Sequence, residues 1–179
     1  YNEDEYLRTE IVPGAFAQYT FISPDKFSMI AGIRSDFHSI HGLFFTPRLH
    51  LKYSVNHHLT IRASAGKGYR TAAVFAENMA LFASSRMLII EEELLAEEAW
   101  NYGININGDI HYFEKKEFKW SLDFYRTDFV NQVITDINAD VNEIRFYNLR
   151  GNSYSNSFQA EISTEAFKRF DISAAFRIN

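Results

Sequence analysis

The sequence contains no cysteine. That excludes disulfides, thiolate metal centres and a cysteine nucleophile. Proline is scarce at three residues and glycine at eight of 179, so the chain is neither collagen-like nor low in complexity. No run of about 18 apolar residues occurs, which excludes a transmembrane helix. Basic residues form no cluster and the formal net charge is -5, so nucleic acid is not an expected partner. The opening residues, YNEDEY, are acidic and do not read as a signal peptide. The last alternating segment stops abruptly at Asn179, and the expectation is a piece of a longer chain.

Aromatic residues, in contrast, are abundant, with 17 Phe and 10 Tyr, and aromatics favour strands. Alternation with period two runs through most of the chain. Residues 15–21 set Ala15, Ala17, Tyr19 and Phe21 against Phe16, Gln18 and Thr20. Ser23-Pro24-Asp25-Lys26 has turn chemistry, and 27–37 alternates next. A longer connection is expected over 38–46. Residues 47–55 and 59–69 form the clearest hairpin, joined by a tight turn at Asn56-His57-His58.

A long excursion follows over 71–96. It holds a helix-prone stretch at 72–81, an apolar run at 87–90, and Glu91-Glu92-Glu93, read as a solvated face with a cation site as the lesser reading. Residues 97–113 alternate without interruption, turn at Glu114-Lys115-Lys116-Glu117, and return over 118–127. A second long connection, 128–151, carries short strand extensions at 132–136 and 145–148. Residues 152–167 and 171–178, turned at Lys168-Arg169, close the chain. The expected fold is therefore all-β, an antiparallel up-and-down meander of about eight long strands. Connections alternate short and long, so the short turns gather at one end of the sheet.

Alternation alone does not say which face is inside. A soluble sandwich buries the apolar face, whereas a membrane barrel turns it to lipid. Strand length favours the barrel: soluble strands average about 5–6 residues and membrane strands need about 9–11. Aromatics also bracket the apolar stretches, as Tyr102 and Tyr112 do around Ile104, Ile106 and Ile110, and Phe27 and Phe37 do on another strand. Ten steps of about 3.3 Å, tilted by about 40°, project to about 25 Å, the height of a barrel's lipid-facing band. The polar face mixes Arg34, Asp36, Arg48, Lys52, Arg62, Asp109 and Asp123, residues that are costly in a dry core and cheap beside water. The alternative is a soluble antiparallel β-sandwich binding module.

Several segments resemble the barrel of TonB-dependent outer-membrane receptors. They are Pro47-Arg48 opening a strand, Arg62-Ala63-Ser64, Gly66-Lys67-Gly68-Tyr69-Arg70 with Glu77 beyond, Glu98-Ala99-Trp100-Asn101-Tyr102-Gly103, and Phe124-Tyr125-Arg126-Thr127-Asp128-Phe129 with Tyr147-Asn148. The family often has proline after its Gly-aromatic-Arg, where Thr71-Ala72-Ala73 stands here. The resemblance implies that residues 1–179 are part of a 22-stranded transmembrane β-barrel whose plug domain lies outside them. It also implies import of a scarce nutrient (a ferric siderophore, haem, cobalamin or a glycan) across the outer membrane. The implied partners are a small-molecule or chelate ligand, outer-membrane lipid, and TonB and the plug through the rest of the protein. No enzyme activity and no cofactor is implied, and an excised fragment is expected to self-associate through its open edges.

Four residues are candidate ligand contacts at the rim and loops. Arg70 and Glu77 stand where a strand gives way to the excursion, with a structural ion pair as the plainer role. His38 and His41 are spaced to ligate haem iron or a metal, with solvated loop histidines as the plainer reading. His57-His58 is assigned to its turn, and Asp136 to Asp140 lack the glycine and terminal glutamate of a calcium loop. No nucleophile–base pair or phosphate loop has a recognisable context, and no metal site is assigned.

Overall fold

A computed structural model describes residues 9–24, 26–113, 116–167 and 169–179. The acidic start, and Asp25, Glu114, Lys115 and Lys168 of three expected turns, lie outside the described residues, as does the side chain of Tyr112.

The chain order is β1 (Gly14–Ser23), β2 (Phe27–His38), β3 (Gly42–Asn56), β4 (Leu59–Arg70), α1 (Val74–Glu77), α2 (Met79–Phe82), β5 (Met87–Ile90), β6 (Glu97–Phe113), β7 (Lys116–Asn131), β8 (Val133–Asp136), β9 (Glu143–Asn148), β10 (Ser153–Phe167) and β11 (Phe170–Ile178). Eight of these strands form one antiparallel sheet in the order β1-β2-β3-β4-β6-β7-β10-β11. Sequence neighbours pair throughout, so the sheet is an up-and-down meander. The remaining three make a second, small sheet in the order β5-β9-β8.

Among the described residues the eight-stranded sheet has no second layer. The accessible surface is 13263 Å², whereas a compact monomer of this mass exposes about 9,000 Å². A sandwich would bury one face of the large sheet, yet Ile104 is 50% exposed, Ile110 55%, Phe124 46% and Phe176 61%. Among the described residues the buried apolar ones are Phe44, Val74, Ala96, Ile144 and Phe146. All five sit at the end where the long connections leave, and none lies mid-sheet. The sandwich alternative is therefore not the architecture found.

The polar face is wired across strands instead. Arg62 donates to Asn105 at 3.1 Å and to Asn107, and Asn105 donates to Asp123 at 2.7 Å. Arg48 donates to Gln18 at 2.7 Å. Among the described residues no buried side-chain polar atom lacks a partner. Aromatic residues of the apolar face include pairs at its two ends. Phe21 and Phe27, and Phe167 and Phe170, flank their turns with ring centroids 6.2 and 6.3 Å apart. At the opposite end Trp100 stacks on Tyr102, and Arg126, held by Asp128, lies over the Tyr154 ring at 4.4 Å.

One expected connection is corrected. The long loop over 38–46 is a hairpin of three residues between His38 and Gly42. Leu43, Phe44 and Phe45 are all apolar, which hides the alternation that continues through them. Gly42 closes the turn at φ +81°, a left-handed conformation open to glycine. The His38 ring completes it by accepting the Ile40 and His41 amides at Nδ1, at 3.2 and 3.3 Å. The short-and-long rhythm thus holds for the two later excursions, 71–96 and 132–152, and not for the first.

Candidate functional site

The two long excursions fold together at one end of the sheet. β5 and β9 pair in parallel, with Leu88 opposite Ile144 and Ile90 opposite Phe146, and β8 pairs antiparallel on the far side of β9. Ile144 and Phe146 are fully buried and, with Val74, form a core against Ala72, Leu81, Leu88, Leu94 and Val133. The helix-prone stretch enters through α1, which supplies Val74. This small sheet caps the rim.

Charge stitches the cap together. Glu91 pairs with Arg145 and Arg150 at 3.4 Å each, and Glu92 accepts the Asn148 amide at 3.0 Å. The glutamate run is an exposed face, as expected, and also forms a seam between the two excursions. Glu143 hydrogen-bonds Arg145 and, with Coulombic help from Glu91, raises its pKa further. Asp136 accepts the Asn138 and Ala139 amides, and Asp140 the Asn142 amide, so both aspartates build turns.

Arg70 ends β4 directly opposite Glu97, the first residue of β6. Its Nε donates to Glu97 Oε2, and its Nη2 lies 3.4 Å from Glu77 of α1. Glu97 also accepts the Val133 amide at 2.9 Å, so one buried carboxylate joins β4, β6 and the start of β8. Glu77 in turn accepts the Ala73 amide at 3.3 Å, fastening the first turn of α1. Arg70 and Glu77 do come together, and Glu97, which the sequence reading did not single out, is the firmer partner. Its only sequence signal is its place at the head of a long strand.

His38 is 2% exposed at the end of β2. Since Nδ1 accepts two amides, Nε2 carries the ring proton and donates to Glu10 Oε2 at 3.2 Å. Both ring nitrogens are thus engaged within the fold. The His41 ring lies beside it, tilted by 50° with ring centroids 4.9 Å apart, and lines the neighbouring cleft.

Below these histidines the alternation of β4 breaks. Continued from Leu59, it would put Tyr69 on the apolar face with Ala63 and Ala65. Instead the Tyr69 ring stacks on Phe44 at 3.9 Å and 8°, and its hydroxyl reaches Asp36, both on the polar face. Asp36, 2% exposed, is held by Arg34 at 2.8 Å as well. Pairing of β3 with β4 runs only as far as Arg48 opposite Gly66, so Gly66-Lys67-Gly68 is where the strand leaves its partner.

Between cap and rim lies a cleft of about 590 Å³ lined by Ile40, His41, Val74, Phe75, Ile90 and Leu94, with Glu10, Glu92 and Glu93 at its edges. Among the described residues its lining carries no lysine or arginine. A second cleft of about 410 Å³ is lined by Tyr69, Arg70, Glu97, Asn101 and Phe129. The arrangement is a walled rim with recesses able to hold a ligand.

A family model described as "TonB dependent receptor-like, beta-barrel" matches residues 2–179. Among solved structures, the siderophore receptor PirA from Pseudomonas aeruginosa is 14% identical with a TM-score of 0.64, over 94% of this chain and 32% of that one. A mutant of the ferric enterobactin receptor PfeA from the same organism, in complex with enterobactin, is 14% identical with a TM-score of 0.69, over 92% and 26%. The FpvAI–pyocin S2 complex is 17% identical with a TM-score of 0.59, over 94% and 23%. The chain spans about a quarter to a third of the length of these proteins. No curated protein matches it.

Proposed function

We propose, from a chain that belongs to the TonB-dependent receptor β-barrel family, that these residues form part of the barrel wall of an outer-membrane receptor that imports a scarce nutrient as a small-molecule or chelate ligand. The observation that carries this reading is the single-layer sheet, with Ile104, Ile110, Phe124 and Phe176 exposed on one face and the Arg62–Asn105–Asp123 network on the other. In lipid the first face is satisfied, and in a wet lumen the second is. The cap would then stand outside the membrane, over the lumen. Energy transfer from TonB and closure by a plug would involve parts of the protein beyond this chain. The ligand is moved without chemistry being done on it.

A ferric chelate is the favoured cargo, because the solved receptors of similar fold are named for siderophores and ferric enterobactin. The larger cleft supports a narrower reading. An apolar wall with glutamates, and with no lysine or arginine among the described residues, suits a neutral or cationic ligand with apolar surface better than a polyanion. Arg70, Glu77 and His41 are the proposed ligand-side residues at the rim, and His38 is assigned to locking its turn.

Single cysteines at Ile104 and Asn105 test the orientation in outer-membrane vesicles bearing the full-length parent protein. An aqueous thiol reagent is expected to label Asn105→Cys, and only a lipid-soluble one Ile104→Cys. Uptake of radioactive iron by cells with and without TonB tests the transport. Uptake is expected to need TonB and to favour an uncharged ferric hydroxamate over a trianionic catecholate. Reversed labelling would overturn the barrel reading, and TonB-independent uptake the transport reading.

A further inference from the structure

We propose that His58, Asp109 and His111 form a binding site for one divalent transition cation beside the turn between β3 and β4. The inference does not rest on the transport reading. Asp109 and His111 are two residues apart on β6 and so share its polar face. His58 arrives from 51 residues away, brought by the pairing of Leu59 with Gly108. The Asp109 amide also donates to the His58 carbonyl at 3.0 Å, which fixes the turn backbone against the strand.

The donor atoms converge. His58 Nδ1 lies 2.6 Å from Asp109 Oδ2, and His111 Nδ1 lies 3.2 Å from the same oxygen. The two rings meet edge to face with centroids 5.0 Å apart, and all three donor atoms lie within 4.8 Å of one another. Two imidazole nitrogens and one carboxylate oxygen are the donor set of zinc and its neighbours in the transition series. A tetrahedral ion with bonds of about 2.0–2.1 Å spaces its ligands about 3.3 Å apart. His111 already meets that spacing from Asp109, and His58 reaches it by withdrawing less than about 1 Å, within the freedom of an exposed side chain.

Both imidazoles are 58% exposed and Asp109 is 21% exposed, so an ion can enter while the carboxylate stays anchored. Lys119 stands opposite Asp109 on β7, and its charge is what a cation must outcompete. Three protein ligands leave further positions for water. A bound ion would clip the β3–β4 turn to β6, across a seam otherwise held there by the backbone ladder.

The test is a Co²⁺ titration of the full-length parent protein in detergent, read by visible d–d absorption. The wild type is expected to bind one equivalent more than His58→Ala/His111→Ala, with a d–d band that Zn²⁺ removes. Each single variant should weaken that equivalent by at least about tenfold, the loss seen even for outer partners of a metal site. His57→Ala, in the same turn, should leave it intact. Heat-modifiable gel mobility checks that each barrel is folded, and His58→Gln/His111→Asn serves if the alanine pair is not. Equal binding by wild type and folded double variant, or no extra equivalent, would show a hydrogen-bonded His–Asp–His cluster only and overturn the proposal.

Discussion

Tyr125 shows how closely single residues are fitted in this wall. Its ring lies over Gly103, its partner across β6 and β7, so that a Cβ at Gly103 would collide with the ring and approach Ser64 Oγ at 2.9 Å. An aromatic covering a glycine in this way stiffens a strand that would otherwise be loose. Gly103→Val is expected to destabilise the parent barrel by about 1–3 kcal/mol, as overpacking does. Gly68 has nothing within 4 Å of the corresponding position and no positive φ. Gly68→Ala should therefore change stability by no more than about 0.5 kcal/mol. Unfolding midpoints from heat-modifiable mobility compare the two. Neither difference is visible in the string, where both are glycines on alternating strands. Likewise His38 and His41 look like a paired motif, yet only folding reveals that turn amides and Glu10 occupy the His38 ring. Arg70 was recognisable as a rim residue because it follows the glycine-flanked end of a long strand, Gly66-Lys67-Gly68. Its main partner, Glu97, was not, because pairing across the 71–96 excursion depends on strand register.

At the scale of elements, the cap and the meander draw on different sources of stability. The meander rests on backbone ladders and cross-strand polar contacts, while the cap has a small core of its own around Ile144 and Phe146. Ile144→Ala should cost about 2–5 kcal/mol locally, the range for emptying a packed aliphatic site. Hydrogen exchange should then quicken at the amides of β5, β8 and β9 and stay unchanged in β2, β3 and β4. A uniform rise across both sheets would show that cap and wall unfold as one unit. The long strands were legible, since eight or more alternating residues leave little room for another period. The parallel pairing of β5 with β9 was not, since runs of four and six residues more than fifty positions apart carry no local sign of each other. The hairpin at 39–41 was hidden for the opposite reason: three consecutive apolar residues masked a period that was there.

For the whole molecule, an open sheet implies association. β1 and β11 are its two edge strands, and the apolar face between them is uncovered. Excised from its parent, this chain is expected to form oligomers or aggregates in plain buffer and to become monodisperse only in detergent. Light scattering decides it: a monodisperse monomer without detergent would mean that the apolar face finds cover within the chain. Composition and alternation by themselves determined the all-β class, the order of the meander and the two chemically distinct faces. They did so because side-chain direction along a strand is a local property with period two. Strand length and aromatic placement pointed to a barrel wall rather than a sandwich, and the single-layer sheet agrees; only the tertiary structure decided that the excursions join into a cap, that Glu97 anchors Arg70, and that His58 meets Asp109 and His111. Each of these depends on register and on contacts between distant segments, which the local pattern of a chain does not encode.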